Sequence, residues 1–401
     1  MLAGPRQDRF ESLDVLRGVA ILGIFAVNIL AMGQSIAMFS NPTLNIEHFD
    51  EQGRELWAIM SMFFQFKFIT IFSALFGAGI MLMVGEEKPS PKFGIHYRRM
   101  FWLLVFGLIH AFFIWFGDIL TPYAIAGLLV VLARRWRPRT LMIVGSVLLI
   151  LTSLLMVSQF IFADAMTPEQ RDAMVTKMWA PPDEEVLAQV EAYRGGFFER
   201  LPETAPNAAM FQIMQTIFLG PRNIGVMMFG MAFYKLGFFT LGWSFMRYLI
   251  AGIITLAIGL ASSYFTANEF LRHDFEMWSL GPAQMSQYWG SLFHAFGYAS
   301  LIMAICKIPL LGILRYPFAA AGRMALTNYL MASIIGMVLY LGPPGLGKIA
   351  TVSFPEMANT VLIVWAAMLI WSPVWLAIFR FGPFEWLWRS LTYWKPQPLL
   401  R

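Results

Sequence analysis

The chain holds a single cysteine, Cys306, among 401 residues. An internal disulfide and any site built on a pair of cysteines are thereby excluded. Charge is scarce as well. Asp, Glu, Lys and Arg make up 13% of the residues, about half the share of a soluble globular domain. The period-two alternation of a transmembrane barrel is missing. No Gly-rich phosphate loop, His-Glu-x-x-His run or Gly-x-Ser-x-Gly run occurs. The five histidines, at 48, 96, 110, 273 and 294, lack metal-ligand spacing, and no metal is expected. The net charge of +5 is spread over short loops rather than gathered in a patch, which argues against nucleic acid as a partner.

What the chain has instead is long apolar runs. Hydrophobic residues make up 58% of it, and the mean hydropathy is +0.62. A span needs about 20 mostly apolar residues. On that measure the segments are 15–36, 57–84, 100–117, 119–133, 140–162, 209–233, 246–266, 285–306, 317–341 and 357–379. The expected fold is an all-α polytopic transmembrane bundle of about ten spans. Gly117-Asp118 predicts a tight turn between the third and fourth. Gly220-Pro221-Arg222-Asn223 predicts a break within the sixth.

The loops set the orientation. With the N-terminus inside, nineteen of the 29 Lys and Arg fall in inner loops, Arg6, Arg9, Arg17, Lys88, Arg98 and Arg99 among them. The longest loop, 163–208, is acidic and falls outside. This alternation predicts both termini on the cytoplasmic side of a bacterial inner membrane. A retained first span is expected rather than a cleaved signal peptide, since Asp8, Glu11 and Asp14 precede it. The chain divides into a five-helix part, 1–162, the outer loop 163–208, and a second five-helix part with its tail, 209–401, in one membrane domain. Within the loop, Pro168-Glu169 and Pro182-Asp183-Glu184-Glu185 predict helix starts.

Ionisable groups within spans are costly and tend to face a cavity or one another. On the first helix, Asp14, Arg17 and Asn28 share one face, with Asp14 and Asn28 within about 40°. This is either a polar lining or an interfacial ion pair with an amide that joins helices. His110 and Asp118 stand at the outer end of the third span and the turn after it. A His beside a carboxylate can act as a general base, although eight residues on an ideal helix separate the two by about 80°. Lys67, Arg222, Asn223, His294, Arg323 and Asn328 complete the set. By depth, Asn28, Lys67, His110 and His294 are expected to converge in the outer half, and Arg323 to join Arg98 and Arg99 near the cytoplasm. Glu385 and Arg389 have the spacing of a helical ion pair, and Trp386, Trp388 and Trp394 suit the headgroup belt.

Four stretches in order carry a resemblance: Ser12-Leu13-Asp14-Val15-Leu16-Arg17-Gly18 through Asn28; Gly107 to His110 followed by Gly117-Asp118-Ile119-Leu120; Gly322-Arg323-Met324-Ala325-Leu326-Thr327-Asn328-Tyr329-Leu330; and Gly382-Pro383-Phe384-Glu385-Trp386. Together they resemble the YeiB-like family of bacterial inner-membrane proteins, domain of unknown function 418, over nearly the whole chain. The opening quarter is also similar to the heparan-alpha-glucosaminide N-acetyltransferases and the wider transmembrane acyltransferases. That likeness implies transfer of an acyl group from cytoplasmic acyl-CoA to an acceptor at or across the membrane. In that group the essential His follows the first helix on the outer side. Here only His48 stands in that loop, and His110 is the preferred base.

On this reading Arg17, Arg98, Arg99 and Arg323 meet the phosphates of acyl-CoA. His110 is the base, Asp118 orients it, and Asn28 or Lys67 steadies the oxyanion. A transporter or exporter is the alternative, with His294, Arg222, Asn223 and Asn328 along its substrate path. A third reading is a non-catalytic lipid-binding protein whose polar residues only hold helices together. The expected partners are membrane lipids and a small-molecule or lipid acceptor, and a homodimer is left open.

Overall fold

Helices form where the apolar runs stand, and capping residues set many of their ends. The computed structural model describes residues 10–45, 47–87 and 92–401. Arg6, Asp8, Arg9 and Lys88 lie outside the described residues. In order the helices are α1 (Glu11–Met32), α2 (Ile36–Ser40), α3 (Glu51–Phe63), α4 (Lys67–Val84), α5 (Phe93–Ile109), α6 (Leu120–Val130), α7 (Pro138–Asp164), α8 (Pro168–Met178) and α9 (Asp183–Arg194). There follow α10 (Phe197–Ile213), α11 (Gly220–Lys235), α12 (Phe245–Arg272), α13 (Gly281–Cys306), α14 (Gly312–Arg323), α15 (Ala325–Tyr340), α16 (Phe354–Ile378) and α17 (Pro383–Tyr393). Among the described residues the only β pairing is an isolated bridge between Phe379 and Leu400.

Seven helices, some of them continuous across a short break, are long and apolar enough to cross a membrane. The pair α14–α15 would be an eighth if its two arms, bent by 76°, form one span. Three of the ten expected segments are therefore not single full-length helices: 317–341, which is this bent pair, 119–133 and 209–233. Segment 119–133 yields the 11-residue α6, because the chain stays non-helical through 115–119. Segment 209–233 divides one turn earlier than expected, at a π-turn over Met214–Phe218 followed by Leu219. The Gly-Pro pair does not break a helix there. Pro221 sits in the first turn of α11, where its missing N–H leaves nothing unpaired.

The helices of the 163–208 stretch start where the sequence puts them. Thr167 and Gln170 close a capping box at α8, and Asp183, Glu184 and Glu185 fill the first turn of α9. α9 buries Val186, Val190 and Tyr193 against the bundle. α10 starts inside the loop region, at Phe197, and crosses the 208/209 boundary.

Helix crossings are closest at glycine. A Cβ built on Gly18 would stand 1.9 Å from the Phe318 carbonyl oxygen, and one on Gly322 would stand 1.8 Å from that of Asp14. The backbones of α1 and α14 therefore touch, as small residues allow in lipid. The outer faces are apolar. Ile363 is 69% exposed and Phe162 66%, a pattern that suits hydrocarbon rather than water. The protein is a membrane protein with transmembrane helices.

The tail packs against this bundle rather than hanging free. The Trp388 indole donates to the Arg99 carbonyl at 2.9 Å, and the Trp386 indole to that of Gln397 at 2.7 Å. The expected Glu385–Arg389 pair gives way to tertiary contacts. Glu385 accepts from Thr327, and the Arg389 guanidinium lies over the rings of Phe381 and Tyr393.

Candidate functional site

The α5–α6 hairpin is irregular where it turns. α5 passes into a π-turn over His110–Ile114, closed by the Trp115 N–H on the His110 carbonyl at 2.8 Å. The wider turn and the extended backbone at Trp115 swing the chain back over itself. Asp118 thus meets His110, which an ideal helix would have kept apart. Nδ1 of His110 and Oδ1 of Asp118 are 3.0 Å apart, and neither side chain has any exposure.

Asp118 also accepts the N–H of Leu120 at 3.1 Å and that of Thr121 at 2.8 Å, which anchors the start of α6. A carboxylate only accepts, so the His110 proton given to it sits on Nδ1. Nε2 is then the basic nitrogen, and it is buried without a partner. The loop is held from two later helices. Gln212 Nε2 donates to the Phe116 and Asp118 carbonyls at 3.3 and 3.2 Å. The Tyr329 hydroxyl accepts the Ile119 N–H at 3.3 Å, and its ring lies 5.0 Å from that of His110.

A cavity of about 200 Å³ approaches this pair. Ile119, Leu120, Tyr123 and Tyr329 line it, and they include the residues next to Asp118 in sequence and next to His110 in space. Arg17, Arg99 and Arg323 also line it, with Glu385 and Trp388. Arg99 stacks on Trp388 at 4.2 Å, and Arg17 pairs with Asp14 at 3.0 Å. One wall is the bend between α14 and α15, where Gly322, Arg323, Ala325 and Leu326 face the cavity. Arg98 is exposed and does not line it. Three of the four arginines expected at an inner mouth thus come together.

The expected single outer pocket does not form; its members separate. Lys67 caps the last turn of α3, its ammonium donating to the Ser61 carbonyl. Arg222 Nη2 donates to Thr70 Oγ1 at 2.8 Å and to Ser291 Oγ at 3.1 Å. His294, one turn from Ser291, has Nδ1 3.3 Å from Ser263 Oγ. Lys67, Arg222 and His294 thus share one region, since Thr70 stands one turn beyond Lys67. Asn223 is buried on α11, and Asn28 is half-buried on α1 away from the His110 cavity. Asn328 is fully engaged. It donates to the Ala321 carbonyl and Ser372 Oγ, each at 3.1 Å, and accepts from the Trp371 indole at 3.0 Å. Asn328→Leu should therefore cost about 1–3 kcal/mol in unfolding measurements, by stranding the Trp371 indole N–H and the Ala321 carbonyl.

Comparisons place this geometry in a family. Residues 233–395 match the family described as protein of unknown function, DUF418. The chain is 30% identical over 395 residues to the uncharacterized protein YeiB of Escherichia coli (strain K12), an alignment that covers 96% of each. The chain belongs to the DUF418 family. It is also 28% identical to the uncharacterized protein YxaH of Bacillus subtilis (strain 168) over 98% of this chain and 96% of that one. A 39.9 kDa uncharacterized protein of Bacillus acidopullulyticus is 26% identical over 98% of this chain and 96% of its own. No solved structure matches.

Two residues of this DUF418 site escaped sequence reasoning. His96 lines the cavity, buried, with Nε2 3.0 Å from the Gly127 carbonyl and Nδ1 unpartnered. Its place three residues before Arg99 was the available signal. Tyr123, hydrogen-bonded to Ser73 at 2.6 Å, carries no signal of its own in the sequence. Chemically, the arrangement offers a cationic rim, an aromatic and aliphatic passage, and an oriented imidazole base beyond it.

Proposed function

We propose that this DUF418 protein is an acyltransferase embedded in a bacterial inner membrane, with both termini cytoplasmic, that takes its acyl group from a cytoplasmic acyl thioester. The observation that carries the reading is the buried His110–Asp118 pair, its free imidazole nitrogen lying behind an arginine-lined cavity. Arg17, Arg99 and Arg323 would meet the phosphates of acyl-CoA, for which guanidinium groups are the suited donors. The slender acyl-bearing arm would enter the cavity. Nε2 of His110 would take the proton from an acceptor hydroxyl or amine as it attacks the thioester carbon, with Asp118 stabilising the imidazolium; the tetrahedral intermediate would then break its C–S bond and expel the CoA thiolate, which takes the proton back from Nε2 and leaves as the free thiol. The phenolic groups of Tyr123 and Tyr329, which line the cavity, would take the place of Asn28 and Lys67 as donors to the developing oxyanion.

Arg99→Ala and Arg323→Ala should each weaken acyl-CoA binding about tenfold, the worth of one charge-assisted contact, and flatten its salt dependence. Equilibrium binding to purified protein checks this. Unchanged affinity in both variants would remove the rim from the account.

One observation favours a second reading, passage of a solute. The 76° break between α14 and α15 lies on the cavity wall, and discontinuous helices line transporter sites. Solute flux through reconstituted vesicles without any acyl transfer would decide for it.

A further inference from the structure

Two permanent or potential cations stand inside the bundle with no acid beside them. Arg222 is 3% exposed and Lys67 1%. Arg222 hydrogen-bonds only hydroxyls, those of Thr70 and Ser291, and lies over the Tyr288 and Phe66 rings at 5.4 and 5.9 Å, while Lys67 bonds only the Ser61 carbonyl. Among the described residues neither makes an ion pair. Around them further buried polar atoms are unpartnered: Arg222 Nε, His294 Nε2 and Ser61 Oγ. A guanidinium withdrawn from water this fully, with hydrogen-bonding capacity unused, is the complement of an anion.

What that anion is attached to follows from the space next to it. A cavity of about 320 Å³ has Thr70, the hydroxyl that Arg222 holds, in its wall. Its other walls are almost wholly apolar, with Phe229, Phe233 and Phe296 prominent. Along α13 it extends from Trp289 to Ala299, about 15 Å at the helical rise. Phe293, on the same wall, is 42% exposed on the outer surface of the bundle, so the cavity adjoins lipid. It is separate from the His110 cavity, which shares no lining residue with it.

We propose that this cavity binds a single-chain amphiphile, an alkyl chain ending in a carboxylate, with the chain among the phenylalanines and the head group at the Thr70 end, where Arg222 stands behind the hydroxyl. The guanidinium of Arg222, one hydroxyl behind the wall at Thr70, favours an anionic head, and the length and apolarity of the cavity favour the tail. The site is independent of the acyl-transfer reading and stands or falls without it.

The test uses full-length protein in a mild non-ionic detergent. Native mass spectrometry should find one carboxylate amphiphile per chain. Added dodecanoate should raise the unfolding midpoint, as any ligand that binds only the folded state does, while dodecanol and acetate should not. Arg222→Gln should abolish both the bound species and the shift. Ala295→Phe, which fills the cavity and leaves the cations in place, should do the same, and it serves if Arg222→Gln fails to fold. Stabilisation by dodecanol equal to that by dodecanoate would overturn the role of the cations, and stabilisation by acetate alone that of the cavity. A phospholipid held in place of a free acid would transfer the site to lipid binding and overturn the single-chain assignment. Wild-type protein with no bound amphiphile and no shift would end the proposal.

Discussion

His110→Ala is expected to lower acyl-transfer turnover by about 10²–10⁴-fold, the usual worth of a positioned general base, with the fold retained. The ring is fully enclosed, but its one polar partner is Asp118. Asp118 keeps its two backbone donors, Leu120 and Thr121, when the ring is gone. Asp118→Asn tests the pair differently. An amide has a single acceptor oxygen, so it cannot both receive the His110 proton and accept from Leu120 and Thr121. Turnover should fall as far as in His110→Ala, and the stability should drop as well. Transfer of labelled acyl groups by purified variants, read beside circular dichroism, distinguishes the two. Full activity in His110→Ala would remove the pair from any chemistry.

Gly322→Val should disrupt the bundle itself. A single Cβ there would lie 1.8 Å from the Asp14 carbonyl oxygen and 2.7 Å from the Gly18 nitrogen. The obstacle is backbone, so no side chain can yield. Inserted volume in a packed core ordinarily costs about 1–3 kcal/mol, and a clash with main chain on both sides belongs at or above the top of that range. The wall of the arginine-lined cavity includes Gly322 and Arg323, so acyl-CoA binding should disappear with the fold. Gly94→Ala is the control, since a Cβ there meets nothing within 4 Å. Thermal unfolding in detergent should show a large drop for the first and none attributable to contact for the second.

The all-helical membrane class was legible because hydrocarbon demands long apolar runs, and so were the starts of α8 and α9, because caps act locally. The basic mouth was legible in part: Arg17, Arg99 and Arg323 meet as their depths implied, whereas Arg98, one residue round the helix from Arg99, faces outward. The grouping of the deeper residues was not legible. Depth along a span ignores azimuth, so it could not separate His110, on the α5–α6 hairpin, from Lys67, Arg222 and His294. The contact between His110 and Asp118 was hidden for another reason. It depends on a π-turn and an extended residue, and ideal helical angles assume neither.

The stretch 115–119 has a bearing on how the protein is made. Its peptide groups lie inside the bundle without a helix to satisfy them, and they are met by Gln212 and Tyr329, which are synthesised roughly a hundred and two hundred residues later. Until those partners arrive, the hairpin cannot settle in lipid without stranded polar groups. Its second arm must wait in the insertion machinery or near the bilayer surface. A chain cut short before residue 329 should therefore leave Asp118 open to a water-borne modifying reagent that the finished protein excludes.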